Sequence, residues 1–378
     1  RRICDLGIIT PTPDGRLTPA HLRRLLLVQA LTNAGVPLDG LGAALRAGQV
    51  SIDFIDSSAY DRFWAPASVT FQQLSEQHGV PVERLTVIRE ASGSLAAQPH
   101  DHVRSEELPI IDMLIACHLA GFRPTVVRQM MRVEADAMRR VAETENALWT
   151  TEVIGPAVAA GKRADEAFGG ELGDRMSVLS ERALVAMFHT QQTQAWTASI
   201  IEALEGQLGE AGLHTRVDHP PAMCFFDISG FTRLTQEQGD AAAAQLADDL
   251  GDIVHRESRK LGGRAVKWLG DGVMLHFPNP AHGVEAALEM VDGVVRAGLP
   301  PAHVGLHAGP VIFQEGDYYG QTVNLAARIA AYARPGQVLV SQAVVDEAGS
   351  AAIFGDVGPV RLKGVAGATR LYAAQRPS

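Results

Sequence analysis

The sequence predicts an α/β or α+β sandwich, helices covering a sheet, for its C-terminal part, preceded by an all-α region. Three observations carry this expectation. Up to about residue 210, apolar residues recur at three and four positions, the period of an amphipathic helix. After Pro220-Pro221 the period changes to short β-like runs alternating with helical stretches. The 378 residues also suit two domains at roughly 100 to 200 residues each, long enough to bury a sizeable core.

The helical elements come first: His21 to Asn33, Ile110 to Leu119, Thr125 to Trp149, and Ala183 to Leu204. Turn chemistry separates them, as in Pro11-Thr12-Pro13-Asp14-Gly15 and Gln98-Pro99-His100-Asp101. The Ala183 to Leu204 helix, with Leu184, Phe188, Trp196, Ile200 and Leu204, reads as core or as a dimer helix. The boundary falls near residues 205 to 221. Beyond it, strands are expected at Ala222 to Ile228, Arg264 to Trp268, Val273 to Phe277, His303 to His307, Val311 to Gln314, Gln337 to Val340 and Arg370 to Ala373. Helices are expected between them at Ala241 to Leu261, Ala281 to Ala297 and Val323 to Tyr332.

Composition narrows the class. Apolar residues make up 46% and charged ones 20%, which is globular rather than disordered. Thirty-three basic against 43 acidic side chains leave a net charge of −10, which opposes indiscriminate attraction to nucleic acid or to an anionic membrane. No stretch has the roughly 18 uninterrupted apolar residues of a membrane span; Ile110 to Phe122 contains Asp112 and His118. Cys4, Cys117 and Cys224 are too scattered for a disulfide framework or a CxxC metal site, and a reducing, cytoplasmic setting is the expectation.

The chemistry concentrates in three segments. Phe225-Phe226-Asp227-Ile228-Ser229-Gly230-Phe231-Thr232 delivers one carboxylate at the end of an apolar strand, followed by a Gly-containing turn whose free N–H groups suit phosphate oxygens. Lys267-Trp268-Leu269-Gly270-Asp271-Gly272-Val273-Met274 joins two β runs across a hairpin tip carrying Asp271. Two carboxylates from adjacent strands suit a pair of divalent cations in phosphoryl or nucleotidyl transfer, and Mg²⁺ is satisfied by one or two carboxylates plus substrate phosphates. Each motif alone is equally a common turn or a helix cap. The third segment, Gly316-Asp317-Tyr318-Tyr319-Gly320-Gln321-Thr322-Val323-Asn324-Leu325-Ala326-Ala327-Arg328, sets Asn324 and Arg328 four apart on one helical face, with Asp317 before them.

These segments, in this order, resemble the catalytic domain of class III nucleotide cyclases, which implies an α+β fold: a mixed or antiparallel sheet flanked by helices, with a ferredoxin-like core. The resemblance implies a catalytic domain at 221–378, a linker at 206–220 and a helical regulatory domain at 1–205. It implies that Asp227 and Asp271, with the Ile228 carbonyl, hold two divalent cations (Mg²⁺ or Mn²⁺), that Lys267 and Asp317 read the purine, and that Asn324 orients the ribose. Arg328 would stabilise charge on the reacting phosphate and Lys363 would contact the triphosphate, with a solvated surface lysine as the even alternative. An ammonium donor matches N1 of adenine and a carboxylate matches its N6 amine, whereas guanine shows the opposite pattern on that edge, so ATP is the expected substrate. The implied reaction is in-line attack of the ribose 3′-oxygen on the α-phosphate, giving 3′,5′-cyclic AMP and pyrophosphate. Family architecture further implies a homodimer with two composite sites.

The first 60 residues resemble the latter part of a MerR-type winged-helix unit, but six basic against five acidic side chains make a scaffold a better reading than a DNA reader. Residues 79–141 resemble the helical region preceding the cyclase domain in soluble, pH-sensitive, autoinhibited mycobacterial adenylate cyclases. Of thirteen histidines, His189, His214 and His219 lie near the junction, where protonation would couple the domains. Two other functions compete: a catalytically silent nucleotide sensor, against which the complete residue set speaks, and a DNA-binding regulator with a nucleotide-responsive domain.

Overall fold

The computed structural model describes residues 2–10, 12–56, 66–93, 96–163, 167, 171–213, 219–230, 236–237 and 239–377. Contacts divide the chain into two units, Arg1–Leu204 and Glu205–Ser378.

The first unit is predominantly helical. Its helices begin where side chains satisfy the exposed N–H groups of the first turn. At α1 (Pro19–Asn33) the Thr18 hydroxyl accepts from the His21 N–H, and His21 Nδ1 accepts from the Thr18 N–H, with Pro19 in the first turn. Then come α2 (Leu38–Arg46) and a strand the periodicity does not reveal, β1 (Pro66–Thr70). Thr70 and Gln73 form a second reciprocal cap on α3 (Phe71–His78), and Gly79 ends that helix at φ 67°. β1 pairs antiparallel with β2 (His102–Arg104), and both are too short for alternation to show in the sequence. α4 (Leu108–Leu119) buries Ile111, Leu114 and Ile115 against Phe71, Leu85 and Val103, joined by Met131 of α5 (Pro124–Trp149).

A buried ion pair pins this core. Arg89 Nε donates to Glu107 Oε1 at 2.8 Å and Nη2 to Oε2 at 3.0 Å, while the Arg104 N–H donates to Oε2 at 2.8 Å. Burial raises the Glu107 carboxyl, but the Arg89 and Arg104 hydrogen bonds outweigh it and hold the group below its usual value. α6 (Glu171–Glu210) is 40 residues long. Phe188, Trp196, Ile200 and Leu204 are exposed on it and Leu184 is half-buried, so the core alternative for this helix is corrected: among the described residues no apolar layer buries those four side chains.

The second unit holds a seven-stranded sheet. Its elements are β3 (Ala222–Ile228), α7 (Asp240–Lys260), β4 (Arg264–Leu269), β5 (Gly272–Phe277), α8 (Pro280–Arg296) and β6 (Ala302–Ala308). After them come β7 (Ile312–Gln314), β8 (Asp317–Tyr319), α9 (Gln321–Tyr332), β9 (Val338–Ser341), α10 (Gln342–Ala348), β10 (Ile353–Val360) and β11 (Thr369–Gln375). The order is β10-β11-β9-β6-β3-β5-β4, antiparallel except for β6 with β9. From β3 to β6 the chain traces the βαββαβ unit of a ferredoxin-like core. β10 escapes sequence reading because Gly355, Asp356, Gly358 and Pro359 look like loop; as an edge strand with a bulge at Asp356/Gly358 it tolerates them.

Strand alternation sorts the two faces of the sheet. Ala222, Cys224, Phe226 and Ile228 point toward α7, α8 and α10, packing on Leu250, Val254, Val284, Met290 and Val344. Met223, Phe225 and Asp227 therefore occupy the opposite face, partly covered by α9. Gly305 lets that helix settle onto β6, since a Cβ there would lie 2.0 Å from the Ala330 nitrogen. Among the described residues no helix is long and apolar enough to cross a membrane.

Candidate active site

Asp227 is the penultimate residue of β3, paired with Gly272 of β5 on one side and His303 of β6 on the other. Its carboxylate lies over Gly272: a Cβ there would sit 2.7 Å from Asp227 Oδ1. Asp271 precedes Gly272 in the two-residue β4–β5 turn, whose first residue, Gly270, has φ 70°. Burial, followed by the negative charge of Asp271, pushes the Asp227 carboxyl above its ordinary value, with the His303 charge opposing. His303 Nε2 is 3.5 Å from Asp227 Oδ2, and its Nδ1 lies 3.2 Å from the Ser229 hydroxyl.

The negative charge of Asp271 disfavours ionisation of Asp227, and a cation beside the two carboxylates would offset that repulsion. Among the described residues no three His, Cys, Asp or Glu side chains are grouped so as to hold a metal ion by themselves. The expected donors, the Asp227 and Asp271 carboxylates and the Ile228 carbonyl, are all hard oxygens. Such a set fits Mg²⁺ or Mn²⁺, with water and phosphate completing the shell, and does not fit a thiolate or imidazole metal.

A second pair forms at the sheet edge. Lys267 of β4 lies opposite Met274, a residue of the Met223 face, and thus shares that face with Asp227. Its ammonium donates to Asp317 Oδ2. Asp317 Oδ1 accepts from the Tyr318 N–H at 2.8 Å, and the Tyr319 ring lies 6.0 Å from Lys267 Nζ.

Asn324 and Arg328 stand on the exposed face of α9, whose opposite face buries Thr322, Ala326 and Ile329. Lys363 is exposed in the β10–β11 connection. No hydrogen bond or ion pair among the described residues joins these three to either pair. The fold thus assembles Asp227 with Asp271 and Lys267 with Asp317, and leaves Asn324, Arg328 and Lys363 on open surface. Phe231 and Thr232 of the first motif lie outside the described residues, as does His214. His189 is exposed, and His219 Nδ1 is 2.7 Å from Glu347 Oε2 of α10. The sequence assigned no role at the site to His303, nor to Gly272 and Tyr318 beyond their membership of the motifs, because only the register of β3 with β5 and β6 brings the first and second to Asp227.

Residues 217–375 match the family model of the adenylate and guanylate cyclase catalytic domain. The C-terminal unit is a class III nucleotide cyclase domain. The pH-sensitive adenylate cyclase MT1302 of Mycobacterium tuberculosis is 27% identical over 321 residues, 82% of this chain and 78% of that protein. An adenylate cyclase of Streptomyces coelicolor is 34% identical over 132 residues, 35% of each chain. Among solved structures, the adenylyl cyclase CyaB of P. aeruginosa superposes with a TM-score of 0.39 at 22% identity, covering 42% of this chain and 95% of that one. The two side-chain pairs described above lie within the cyclase domain.

Proposed function

We propose that the protein is an adenylate cyclase, converting ATP to 3′,5′-cyclic AMP and pyrophosphate. The observation that carries this reading is the Lys267–Asp317 contact on the sheet face that also presents Asp227. A donor and an acceptor held side by side match N1 and N6 of adenine. Guanine, with N1–H and O6 on that edge, meets a donor with a donor and an acceptor with an acceptor.

Asp227, Asp271 and the Ile228 carbonyl would hold two divalent cations, Mg²⁺ or Mn²⁺. Bound there, such cations supply the charge that makes the ribose 3′-hydroxyl a better nucleophile and offsets charge on departing pyrophosphate. The chain's own groups supply position and charge complementarity. Asn324 orients the ribose, Arg328 presents a fork of N–H donors to the α-phosphate as its charge grows, and Lys363 takes a terminal phosphate. Exposure of Asn324 and Arg328, apart from the carboxylates of their own chain, supports a homodimer in which each site draws on both protomers.

The N-terminal unit is assigned a regulatory, autoinhibitory role responsive to pH. Similarity to a pH-sensitive adenylate cyclase over 82% of the chain and the His219–Glu347 contact at the start of the catalytic unit support it. Three unpaired cysteines suit a reducing cytoplasm. The test is purified protein supplied with ATP or GTP and Mg²⁺ or Mn²⁺, scored for cyclic product across pH. Absence of cyclic AMP from the parent protein, or full activity in Asp227→Ala, overturns the reading.

A further inference from the structure

Asp317 owes its position to residues that touch no nucleotide. β7 and β8 form a two-stranded hairpin outside the main sheet. Its turn residues, Glu315 at φ 53° and Gly316 at φ 78°, both occupy the left-handed region, as a two-residue hairpin turn of this hand requires. Glu315 is the one non-glycine residue with positive φ among those described, a conformation that persists only where surrounding structure enforces it. A lone two-stranded hairpin is marginal in water. Asp317, the first residue after the turn, keeps its place only if the hairpin is fastened to the domain.

The fastening is Tyr318. Its side chain packs with Met223, Met274 and Ala326, and the residue is 8% exposed. Its ring stacks on His276 of β5 at 4.5 Å between centroids, with the planes 7° apart. Phe313 of β7 lies tilted against it at 5.1 Å. Arg264, the cross-strand neighbour of His276, donates to the Tyr318 hydroxyl and holds its guanidinium 5.2 Å from that ring and 5.7 Å from Phe313. Burial, then the charge of Arg264, pushes the His276 imidazole down to about 4, so at neutral pH the stack is uncharged and does not repel the guanidinium. With Tyr318 seated inward, alternation turns Asp317 and Tyr319 the other way, toward Lys267.

We propose that Tyr318, clasped by Arg264 and His276, is a positioning residue for base selection, holding Asp317 where it and Lys267 together match adenine. The proposal rests on the reading of Lys267–Asp317 as the adenine-recognising pair. Loosening the clasp frees the hairpin to carry Asp317 away from Lys267. The loss falls on nucleotide recognition, because the metal-holding carboxylates stand on β3 and the β4–β5 turn.

The experiment compares kcat/KM for ATP with kcat/KM for GTP in the full chain, using Mn²⁺, for the parent, Asp317→Ala, Tyr318→Phe, Tyr318→Leu, Arg264→Gln and Arg264→Lys. Asp317→Ala is expected to lower the ATP:GTP ratio by about tenfold or more, as loss of a hydrogen-bonding partner does. Tyr318→Leu follows it to within about threefold, through a raised KM for ATP at nearly constant kcat. Tyr318→Phe and Arg264→Gln lower the ratio by smaller, non-additive amounts, and Arg264→Lys recovers part of it. A purely structural defect would instead lower kcat for both nucleotides and leave the ratio alone. If Asp317→Ala lowers the ratio while folded Tyr318→Phe and Arg264→Gln retain the parent value, the clasp proposal is overturned and the adenine reading stands. If Asp317→Ala leaves the ratio unchanged, the adenine reading fails and the proposal with it. Should Tyr318→Leu lose its circular dichroism signature, the Phe and Gln variants decide.

Discussion

Gly272→Ala tests whether the Asp227 carboxylate is placed by its approach to β5. The added Cβ would lie 2.7 Å from Asp227 Oδ1 and 3.1 Å from the Phe226 carbonyl oxygen, where an ordinary carbon contact needs about 3.5 Å. The Phe226 oxygen belongs to the backbone of β3 and yields little, so the carboxylate must turn away by roughly 0.8 Å. Gly272 does not occupy the left-handed region, and alanine adds no backbone strain. Mg²⁺ demands near-octahedral oxygens at about 2.0 to 2.1 Å, and workable metal sites tolerate roughly 0.2 Å of error. The shift exceeds that tolerance several-fold. The expected result is a rise of about 10- to 100-fold in the cation concentration giving half-maximal activity, with Mg²⁺ affected more than the more forgiving Mn²⁺. Titrating each cation at saturating ATP reads this directly, and thermal melting reports the overpacking cost of about 1 to 3 kcal/mol. A folded Gly272→Ala protein with the parent's cation dependence would refute the argument that this glycine positions a metal-holding carboxylate.

Three further outcomes are expected. Equimolar Asp227→Ala and Arg328→Ala chains, each inactive alone, should together recover about one quarter of parental activity, since half the dimers are mixed and each carries one intact site; no recovery removes the composite site. Glu107→Ala removes the bidentate partner of Arg89, whose side chain is 10% exposed, leaving it the Asp101 carboxylate at 3.6 Å and the His102 carbonyl, and should destabilise the protein by about 3 kcal/mol in urea unfolding. Because the folded Glu107 carboxyl is held below its ordinary value, its contribution is present above about pH 4.3 and lost as pH falls through the lower folded value, so the parent and Glu107→Ala curves should converge in acid. Glu347→Gln removes the charge facing His219 while keeping an acceptor, and should change the pH–activity profile relative to the parent; an unaltered profile removes this contact from the regulatory account.

The site was legible where its chemistry lies in consecutive residues. Asp227 and Asp271 each end an apolar strand run at a glycine-bearing turn, so local pattern alone projects them from the sheet. Lys267 follows the same logic four residues before Asp271. The clasp around Asp317 was not legible, because its members come from β4, β5, β7 and β8 and meet only through register. His303 was equally hidden: it sits in a run read correctly as a strand, but nothing local says that its partner is Asp227. A bulge between Ala265 and Lys267 also shifts the β4 register by one, which decides the face Lys267 takes and cannot be read from alternation.

That division has a physical cause that bears on how the enzyme selects its nucleotide. On the proposed reading the carboxylates act through charge, and they stand on β3 and the β4–β5 turn of the central sheet, so a short local motif suffices to place them. Base selection needs a donor and an acceptor at a fixed separation, a stricter geometric demand than charge alone. Here Asp317, one of the two groups proposed to read the base, stands on a three-residue strand of a hairpin outside the main sheet. Fixing that group requires long-range packing, supplied by a buried tyrosine between an imidazole and a guanidinium. Selectivity is therefore expected to be more sensitive than turnover to substitutions around β7 and β8, and to change with residues well outside the three motifs that reveal the chemistry.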